Sequence, residues 1–323
     1  MKCYMCVAVS DNSVTSNLYS ELLEVALNSA KKNTTLNINV LYDGPDDHVY
    51  MKIMRKYNVN IIRWKFSRFS YLEKTFSCDY LKENFNMDVV DYKKISGTFM
   101  RFDIPYIEKD DDYVLYTDID VFFNKDITLD SFKLTKVIAA GPETEKNFTN
   151  DSIYNAGILL FNVKEMRNQV DKIFLQLEKG VIPKVSLFDQ GYLNEVCRSD
   201  IELFPLEFNW KPYWGYNSDA YIVHFHGIKP GGDNNASGFN MSDAFFYHVF
   251  NSQNEDVIFG YLMYFKDYFY YLEKNNDKWI KEHAKKILKL VFPDSKSVRR
   301  RIYCKMMFNI FYKNLFLSFT GKY

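Results

Sequence analysis

The first 65 residues alternate between strand-like and helix-like patterns, and this alternation constrains the fold more than any other feature of the sequence. Continuous apolar or alternating runs predict strands, whereas apolar residues spaced three and four apart predict helices. In chain order we predict strand Cys3–Val9, helix Asn17–Lys31, strand Leu36–Tyr42, helix Asp47–Tyr57 and strand Val59–Trp64. Strands separated by crossover helices pair in parallel, so the pattern predicts an α/β fold. Ligands bind such sheets at the carboxyl ends of the strands, which makes the residues just after Val9 a candidate site.

Further elements follow a mixed segment at residues 66–95. We predict helices at Gly97–Ile107, Lys164–Lys179 and Phe188–Cys197, and strands at Tyr113–Thr117, Val137–Ala140, Ile158–Asn162 and Ile222–Phe225. From Met241 onward the patterns are helical throughout. The sequence therefore predicts an α/β domain at residues 1–240 and a helical region at residues 241–323.

Two carboxylates follow the apolar strand Tyr113–Thr117. Asp118 and Asp120 lie within YVLYTDIDVFF, so apolar residues flank them on both sides. Magnesium and manganese prefer such oxygen ligands and often bridge carboxylates to a phosphate. A solvated turn is the alternative, but solvated turns are seldom flanked by apolar runs. The context favours a metal site, provided that the chain turns so that both carboxylates face one ion.

A second polar cluster follows the strand that ends near residue 223. His224 offers an imidazole that suits borderline metals such as manganese, although a histidine at a strand end is commonly an ordinary core residue. Gly227 would let the backbone approach an anion, and Lys229 would supply a point charge for a phosphate. His226 is expected to face the other side of the strand.

Four segments, in this order, resemble glycosyltransferase family 8, the group of glycogenins and bacterial lipopolysaccharide α-galactosyl- and glucosyltransferases. They are TDID, NAGILLFN, DQGYLN and HFHGIKP, preceded by a helix that carries Arg101 in GTFMRFDIP. The resemblance covers residues 3–232. It implies a Rossmann-like GT-A fold, a nucleotide-diphosphate-sugar donor that is usually a UDP-sugar, a Mn²⁺ cofactor, and retention of the anomeric configuration.

The resemblance also implies roles for individual residues around the metal and the diphosphate. Asp118, Asp120 and His224 would bind Mn²⁺, with Mg²⁺ as the alternative ion, and Asp118 would also touch the donor. Gly227 and Lys229 would meet the diphosphate. The chain departs from the family pattern here, because it has one residue fewer before Lys229 and has Gly231 in place of a tryptophan.

The remaining implied roles concern the sugar and the nucleoside. The residues that would line the donor sugar are Arg101, Asn155, Asp189 and Gln190. Gln190, with Asp189, would assist catalysis at the anomeric carbon. Ala8, Asp11 and Asn12 would hold uridine, although Ser13 replaces the aromatic residue that usually stacks on the base.

The formal net charge of zero hides two oppositely charged parts. Residues 278–323 carry 12 basic and 2 acidic residues, so the rest of the chain, with 29 basic and 39 acidic residues, has a net charge of −10. In the basic tail, Val298, Ile302, Met306 and Ile310 are spaced to form one apolar helical face. The tail is either an interfacial helix on an anionic membrane or a helix packed on the body with its charges solvated. No nucleic-acid-binding motif accompanies the charge.

The cysteines and the apolar runs indicate a reducing compartment. The five cysteines are scattered, and Cys3 and Cys6 lie in an apolar strand that lacks a second pair for zinc, so we interpret them as core residues. The sequence shows neither a signal-peptide pattern nor an apolar run long enough to span a membrane. We therefore expect a cytoplasmic protein that is peripheral on the inner face of the membrane.

Together these features predict a retaining, Mn²⁺-dependent enzyme that moves a hexose, most simply from UDP-galactose or UDP-glucose, to a glycan or glycolipid acceptor. The acceptor would be a precursor of lipopolysaccharide, lipooligosaccharide or capsule. The alternatives are an inverting GT-A enzyme with Asp189 as its base, and a non-catalytic protein that binds sugar nucleotides.

Overall fold

The structure is a computed structural model, which describes residues 1–10, 13–85, 90–185, 188–227, 229–230, 239–240, 254–273, 277–292 and 294–320. These residues fall into two compact units. The first comprises Met1–Asn209 with Ala220–Ile222, and the second comprises Trp210–Asp219 with Val223–Tyr323. The domain boundary proposed at residue 240 stays a prediction.

The first unit is built on a seven-stranded sheet with the order β3-β2-β1-β4-β7-β6-β8. The strands are β1 (Lys2–Ala8), β2 (Asn37–Asp43), β3 (Asn60–Arg63), β4 (Tyr113–Thr117), β6 (Ile138–Pro142), β7 (Tyr154–Asn162) and β8 (Ile201–Leu203), while β5 (Val121–Phe123) lies outside this sheet. β1 pairs in parallel with both β2 and β4, and β2 pairs in parallel with β3. The predicted α/β fold with parallel pairing in its first half is confirmed.

One strand departs from the parallel arrangement. β7 runs antiparallel to β4 and to β6, which makes the sheet mixed. It also begins four residues earlier than the predicted strand Ile158–Asn162. The earlier start matters because it brings the Asn155 and Ala156 backbone into the sheet.

Apolar side chains cover both faces of this sheet. Along β7, Leu159 and Phe161 join one core cluster, whereas Ile158 and Leu160 join the cluster on the opposite face. This alternation follows from the two-residue period of a strand. Burying each such side chain is worth about 1.5–3 kcal/mol. Of the two cysteines predicted to be core residues, Cys3 is fully buried, whereas Cys6 is partly buried and packs against the core.

The helices of the first unit cover the sheet, and several of them begin at a side-chain cap. They are α1 (Ser13–Asn33), α2 (Val49–Lys56), α3 (Phe69–Thr75), α4 (Cys78–Phe85), α5 (Tyr92–Phe99), α6 (Ile104–Ile107), α7 (Val163–Glu178) and α8 (Phe188–Val196). The side chain of Asn162 accepts a hydrogen bond from Glu165 N at the start of α7, and Asp91 accepts one from Lys94 N at the start of α5. Such caps satisfy backbone N–H groups that have no partner within the helix.

The helix predicted at Gly97–Ile107 is broken into three pieces. α5 begins earlier, at its Asp91 cap, and ends at Phe99, after which Met100–Asp103 form a 3₁₀ turn. Pro105 then stands in the first turn of α6, where a missing N–H does no harm. The tighter 3₁₀ turn is the segment that carries Arg101.

The second unit is largely helical, as predicted for the C-terminal region. Its elements are β9 (Ile222–His224, whose first residue belongs to the first unit), β10 (Lys229–Pro230), β11 (Phe239–Asn240), α9 (Glu255–Tyr271), α10 (Asp277–Val291) and α11 (Lys296–Thr320). In α11, Ile302 and Met306 are buried, while Arg301 pairs with Glu255 and Lys305 with Asp256 on α9. Two residues of the apolar face predicted for the tail, Ile302 and Met306, are therefore packed within this unit. Among the described residues, none of the helices is both long enough and apolar enough to cross a membrane.

Candidate active site

The carboxyl end of β4 carries the two predicted aspartates. Asp118 directly follows the strand, and its backbone N–H donates to Gly157 O of β7 at 2.7 Å. Asp120 stands two residues later and is 8% exposed. The sheet thus holds the first carboxylate at the point where the chain leaves the core.

Arg101 lies against Asp118 and is almost completely buried. Its Nη2 donates to Asp118 Oδ1 at 2.9 Å, its Nε lies 3.2 Å from Asp189 Oδ2, and the same Nε donates to Thr98 O at 2.7 Å. Its Nη1 donates to the backbone oxygen of Ala156. One guanidinium therefore joins β4, β7, α5 and α8, which suits the planar fork of donors that arginine offers.

The electrostatics of this network are those of a functional site. Burial raises the pKa of Asp118 to about 6, Arg101 opposes that rise, and the neighbouring Asp120 adds to it. Burial by itself lowers the pKa of Arg101, but Asp118 and Asp189 raise it above its ordinary value. A carboxylate that is expensive to charge and lies beside a fixed cation is typical of catalytic and binding sites.

The 3₁₀ turn that carries Arg101 is anchored by hydrogen bonds to Asp103. The buried carboxylate of Asp103 accepts hydrogen bonds from Trp64 Nε1 at 2.8 Å, Ser67 N at 2.9 Å and Ser67 Oγ at 2.6 Å. Burial raises the pKa of Asp103, although the bonds from Ser67 and Trp64 work against that rise. These bonds fix the 3₁₀ turn, and they thereby fix the position from which the Arg101 side chain extends.

Asp189 and Gln190 lie in the first turn of α8. Phe188, which precedes them, has a φ of 59°, a left-handed conformation that costs a non-glycine residue about 1–3 kcal/mol. The Phe188 ring lies 5.1 Å from the Phe76 ring, which holds the residue in place. Gln190 Oε1 accepts from Ala156 N at 3.0 Å, so the two backbone polar groups of Ala156 bind Arg101 and Gln190.

The side chain of Asn155 forms hydrogen bonds with other residues of the first unit. Its Oδ1 accepts from Gly157 N at 3.1 Å and from Asn209 Nδ2 at 2.9 Å, and its Nδ2 donates to Glu143 Oε2 at 2.7 Å. The residue is 3% exposed. The structure therefore joins Arg101 directly to Asp118 and Asp189, and it links Gln190 to Arg101 through the backbone of Ala156, next to Asn155.

The other predicted residues of the first unit concern the nucleoside. Ala8 is the last residue of β1 and is half-buried. A Cβ at Gly97 would lie 3.1 Å from Ala8 Cβ, so α5 passes close to this strand end. Asp11 and Asn12 lie outside the described residues.

The second unit contains the remaining three predicted residues. His224 ends β9, is 2% exposed, and donates its backbone N–H to Trp210 O at 2.8 Å. Gly227 has a φ of 83°, which explains why a glycine stands there. Lys229 Nζ donates to Phe225 O at 3.2 Å. These residues follow one another within a short stretch at the end of β9.

Sequence reasoning missed three residues that build the site. Tyr116 donates to Asp118, Asp103 anchors the Arg101 turn, and Glu143 accepts from Asn155. Tyr116 could have been found, because residues two apart on a strand share a face and Tyr116 stands two before Asp118. Asp103 and Glu143 act through contacts distant in sequence, for which the sequence holds no signal.

The chain is similar to known proteins in sequence and in fold. A profile of glycosyl transferase family 8 matches residues 13–234. No curated protein sequence gives a significant match. Three similar solved structures are the bifunctional glycosyltransferase WbbM, the galactosyltransferase LgtC in complex with donor and acceptor sugar analogues, and the glycosyltransferase GlyE of Streptococcus pneumoniae.

The WbbM match has a TM-score of 0.51 and 17% identity, and it covers 88% of this chain and 51% of that chain. LgtC gives 0.49 and 17%, covering 78% and 96%, and GlyE gives 0.49 and 17%, covering 77% and 59%. At this identity the likeness to WbbM shows the fold alone, which is GT-A. Because the family profile matches more than two thirds of the 323 residues, the chain belongs to glycosyl transferase family 8 and is a glycosyltransferase.

Proposed function

We propose that the chain is a retaining, metal-dependent hexosyltransferase that uses a UDP-sugar, with UDP-galactose and UDP-glucose as the first candidates. The acceptor would be a hydroxyl of a cell-surface glycan precursor. The observation that carries the proposal is the buried network in which Arg101 binds Asp118, Asp189 and Ala156 O while Gln190 binds Ala156 N. Buried charges are costly to maintain, so a network of this kind is more readily explained by a role in binding or catalysis than by stability alone.

Asp118, Asp120 and His224 are the proposed metal ligands. Two carboxylates with one imidazole fit Mn²⁺ well, with Mg²⁺ as the alternative. When bound, the ion supplies positive charge that stabilises the diphosphate leaving group. Within the protein, Arg101 holds the Asp118 carboxylate in one orientation through the bond to Oδ1.

The donor's other parts are assigned to the remaining predicted residues. Gly227 and Lys229 would contact the diphosphate, where a backbone that passes closely and a lysine charge both favour an anion. Ala8, Asp11 and Asn12 would contact the uridine. Ala8 supports this assignment in the described residues, because it ends a central parallel strand, where such folds bind ligands.

Arg101, Asn155, Asp189 and Gln190 are the proposed donor-sugar residues. The bond from Ala156 N fixes the carbonyl oxygen of Gln190, so the NH₂ group is the end of this amide that could meet a substrate. A donor group there would steady an oxygen of the reacting sugar rather than attack the anomeric carbon. This favours a short-lived ion pair, with the acceptor arriving on the leaving-group side.

Two alternatives remain for the reaction. An inverting enzyme would need a carboxylate base, and Asp189 could serve, but its Oδ2 is ion-paired with Arg101 and the side chain is nearly buried. A non-catalytic sugar-nucleotide-binding protein would not need the Arg101 network to be complete. Both alternatives are therefore less well supported than retention.

We further propose that the protein works at the cytoplasmic face of a membrane. On α11, Lys296, Arg300, Cys304 and Phe308 follow one another at a spacing of four residues and are exposed. Such a stripe presents positive charge and an aromatic ring on one side of a helix, and both favour an anionic lipid surface. It is distinct from the face that is buried through Ile302 and Met306.

The test is turnover of a panel of nucleotide sugars by the full chain, with Mn²⁺ and with a chelator. We expect UDP and free hexose to form with Mn²⁺ only, and proton NMR to detect the α-anomer first. Early β-anomer would establish the inverting alternative. Binding of nucleotide sugars without turnover of any of them would establish the non-catalytic one.

A further inference from the structure

Tyr116 contacts both Asp118 and Arg101, the two charged groups at the centre of the network. It is the fourth residue of β4 and is 1% exposed. Since side chains two apart on an extended chain share a face, its ring lies along the sheet toward Asp118. The hydroxyl donates to Asp118 Oδ1 at 2.5 Å.

The bond from Tyr116 shares its acceptor with another donor. Arg101 Nη2 also donates to Asp118 Oδ1, at 2.9 Å, so two donors from different elements converge on the same oxygen. Neither bond uses Oδ2. The terminal torsion of an aspartate is broad when unrestrained, and two donors on one oxygen restrict it. The carboxylate is thereby held through Oδ1, and Oδ2 is the oxygen that neither of these two donors uses.

The Tyr116 ring is itself held between two flat groups. The guanidinium of Arg101 lies 4.4 Å from the ring centroid, and the Phe161 ring stacks with it at a centroid distance of 6.5 Å and an interplanar angle of 15°. The ring cannot swing without disturbing Arg101, which also binds Asp189 and Ala156. Tyr116 therefore couples the orientation of Asp118 to the position of the guanidinium.

We propose that Tyr116 is a positioning residue for the transfer reaction, whose hydroxyl fixes the rotation of the Asp118 carboxylate so that Oδ2 meets the bound metal. This inference rests on the proposed function. It adds that metal affinity depends on a group that touches neither the metal nor the donor. Because the carboxylate is already held in one orientation, ligand binding does not have to supply the free energy of ordering it.

The test is Tyr116→Phe, which keeps the buried ring and removes only the hydroxyl. Calorimetry with UDP as the probe should show roughly 10- to 100-fold weaker binding in the presence of Mn²⁺, the range for losing one hydrogen bond to a charged group. Binding of UDP without metal should stay within about twofold, which also reports that the site is folded. A merely structural role would weaken both equally.

The matched control is Tyr113→Phe. It removes a hydroxyl from the same strand, where Tyr113 donates to Thr135 O at 3.0 Å, and it should leave both affinities unchanged. In a double-mutant cycle, Tyr116→Phe should add nothing to the metal-affinity loss of Asp118→Asn. Additive losses, or a Tyr116→Phe variant that matches the control, would overturn the inference while leaving the proposed function intact. A wild-type chain that shows no metal-dependent binding or turnover would overturn both.

Discussion

At the scale of single residues, some surroundings of Asp118 oppose the ionisation of its carboxyl group and others favour it. Its pKa of about 6 reflects burial first, with Asp120 adding to the rise and Arg101 opposing it. The folded-state pKa is higher than the ordinary value of 3.8, so ionising this carboxyl group destabilises the metal-free fold. That cost appears as the pH rises from about 3.8 through about 6. The ionised Asp118 carboxylate therefore lowers the stability of the fold, a cost that is common at functional sites.

A prediction follows for Asp118→Asn, which cannot ionise. In chelator, the free energy of unfolding of the variant relative to wild type should rise by about 1 kcal/mol between about pH 4 and pH 7.5. The value is small because 31% of the Asp118 side chain is exposed and solvent screens the charge. Urea unfolding at several pH values measures it. A difference that is independent of pH would show that Asp118 does not ionise in this range.

Many of the site residues in the first unit could be predicted from the sequence. Motifs identify these residues because their own side chains carry the chemistry. Arg101, Asp118 and Gln190 were expected near one another, and the structure joins them through direct bonds or through Ala156. What could not be predicted is the support. Asp103 binds Trp64 and Ser67 across more than thirty residues, and the left-handed backbone of Phe188 has no signature in the sequence.

At the scale of elements, the start of β1 is anchored by a buried carboxylate. Glu108, which follows α6 and is 1% exposed, accepts from Lys2 Nζ at 2.9 Å, Tyr4 OH at 2.7 Å, Asp110 N at 2.6 Å and Asp111 N at 3.0 Å. Burial by itself would raise the pKa of Glu108, but these bonds, beginning with that from Asp111 N, hold it at about 2. The carboxylate ties the first strand to the turn before β4.

Glu108→Gln should therefore lose about 2–3 kcal/mol of unfolding free energy at neutral pH. The folded-state pKa lies below the ordinary value of 4.5, so the contribution is present above about pH 4.5 and is lost as the pH falls toward 2. Urea unfolding should show the gap to wild type closing in that window.

The control for this prediction is Asp110→Asn. Asp110 pairs with the same lysine, but its side chain is 81% exposed, so its loss should cost less than about 1 kcal/mol. Equal losses for the two variants would contradict the anchoring role of Glu108.

The elements themselves were predictable where the pattern was long. α7 and the first three strands lie within a few residues of their predicted bounds, because their periodicity spans several turns or a full buried run. β5, with three residues, was missed because it is too short for a period to register. The segment 66–95 contains α3, α4 and part of α5, whose short helices are held by aromatic packing around Phe76 and Phe99.

At the scale of the whole molecule, the zero net charge is the sum of an acidic part and a basic tail. Two of the tail's cations are accounted for within the second unit, because Arg301 and Lys305 pair with acidic residues of α9. Deleting α11 would uncover α9 and α10, which it contacts, since Ile302 and Met306 are buried. Membrane binding is therefore better tested by removing charge than by truncation.

The double substitution Lys296→Gln with Arg300→Gln should weaken partition onto vesicles of phosphatidylglycerol and phosphatidylcholine by roughly 30-fold, at about 1 kcal/mol for each charge. Both side chains are exposed, so the fold should be unaffected. The matched control, Lys133→Gln with Lys136→Gln, removes the same charge from exposed positions of the first unit. Sedimentation with vesicles measures the partition, and equal loss in both variants would assign binding to overall charge instead of to the α11 stripe.

The proposed role of Asp118 is in metal-dependent cleavage of a nucleotide sugar. The most direct measurement is the rate of UDP release from UDP-galactose and UDP-glucose during a Mn²⁺ titration of wild type, Asp118→Asn and Asp130→Asn, the last being an exposed carboxylate away from the network. We expect release that saturates with Mn²⁺ in wild type and in Asp130→Asn, and a loss of kcat/KM of at least about 100-fold in Asp118→Asn. Release that is independent of Mn²⁺, or an Asp118→Asn variant as active as wild type, would contradict this role.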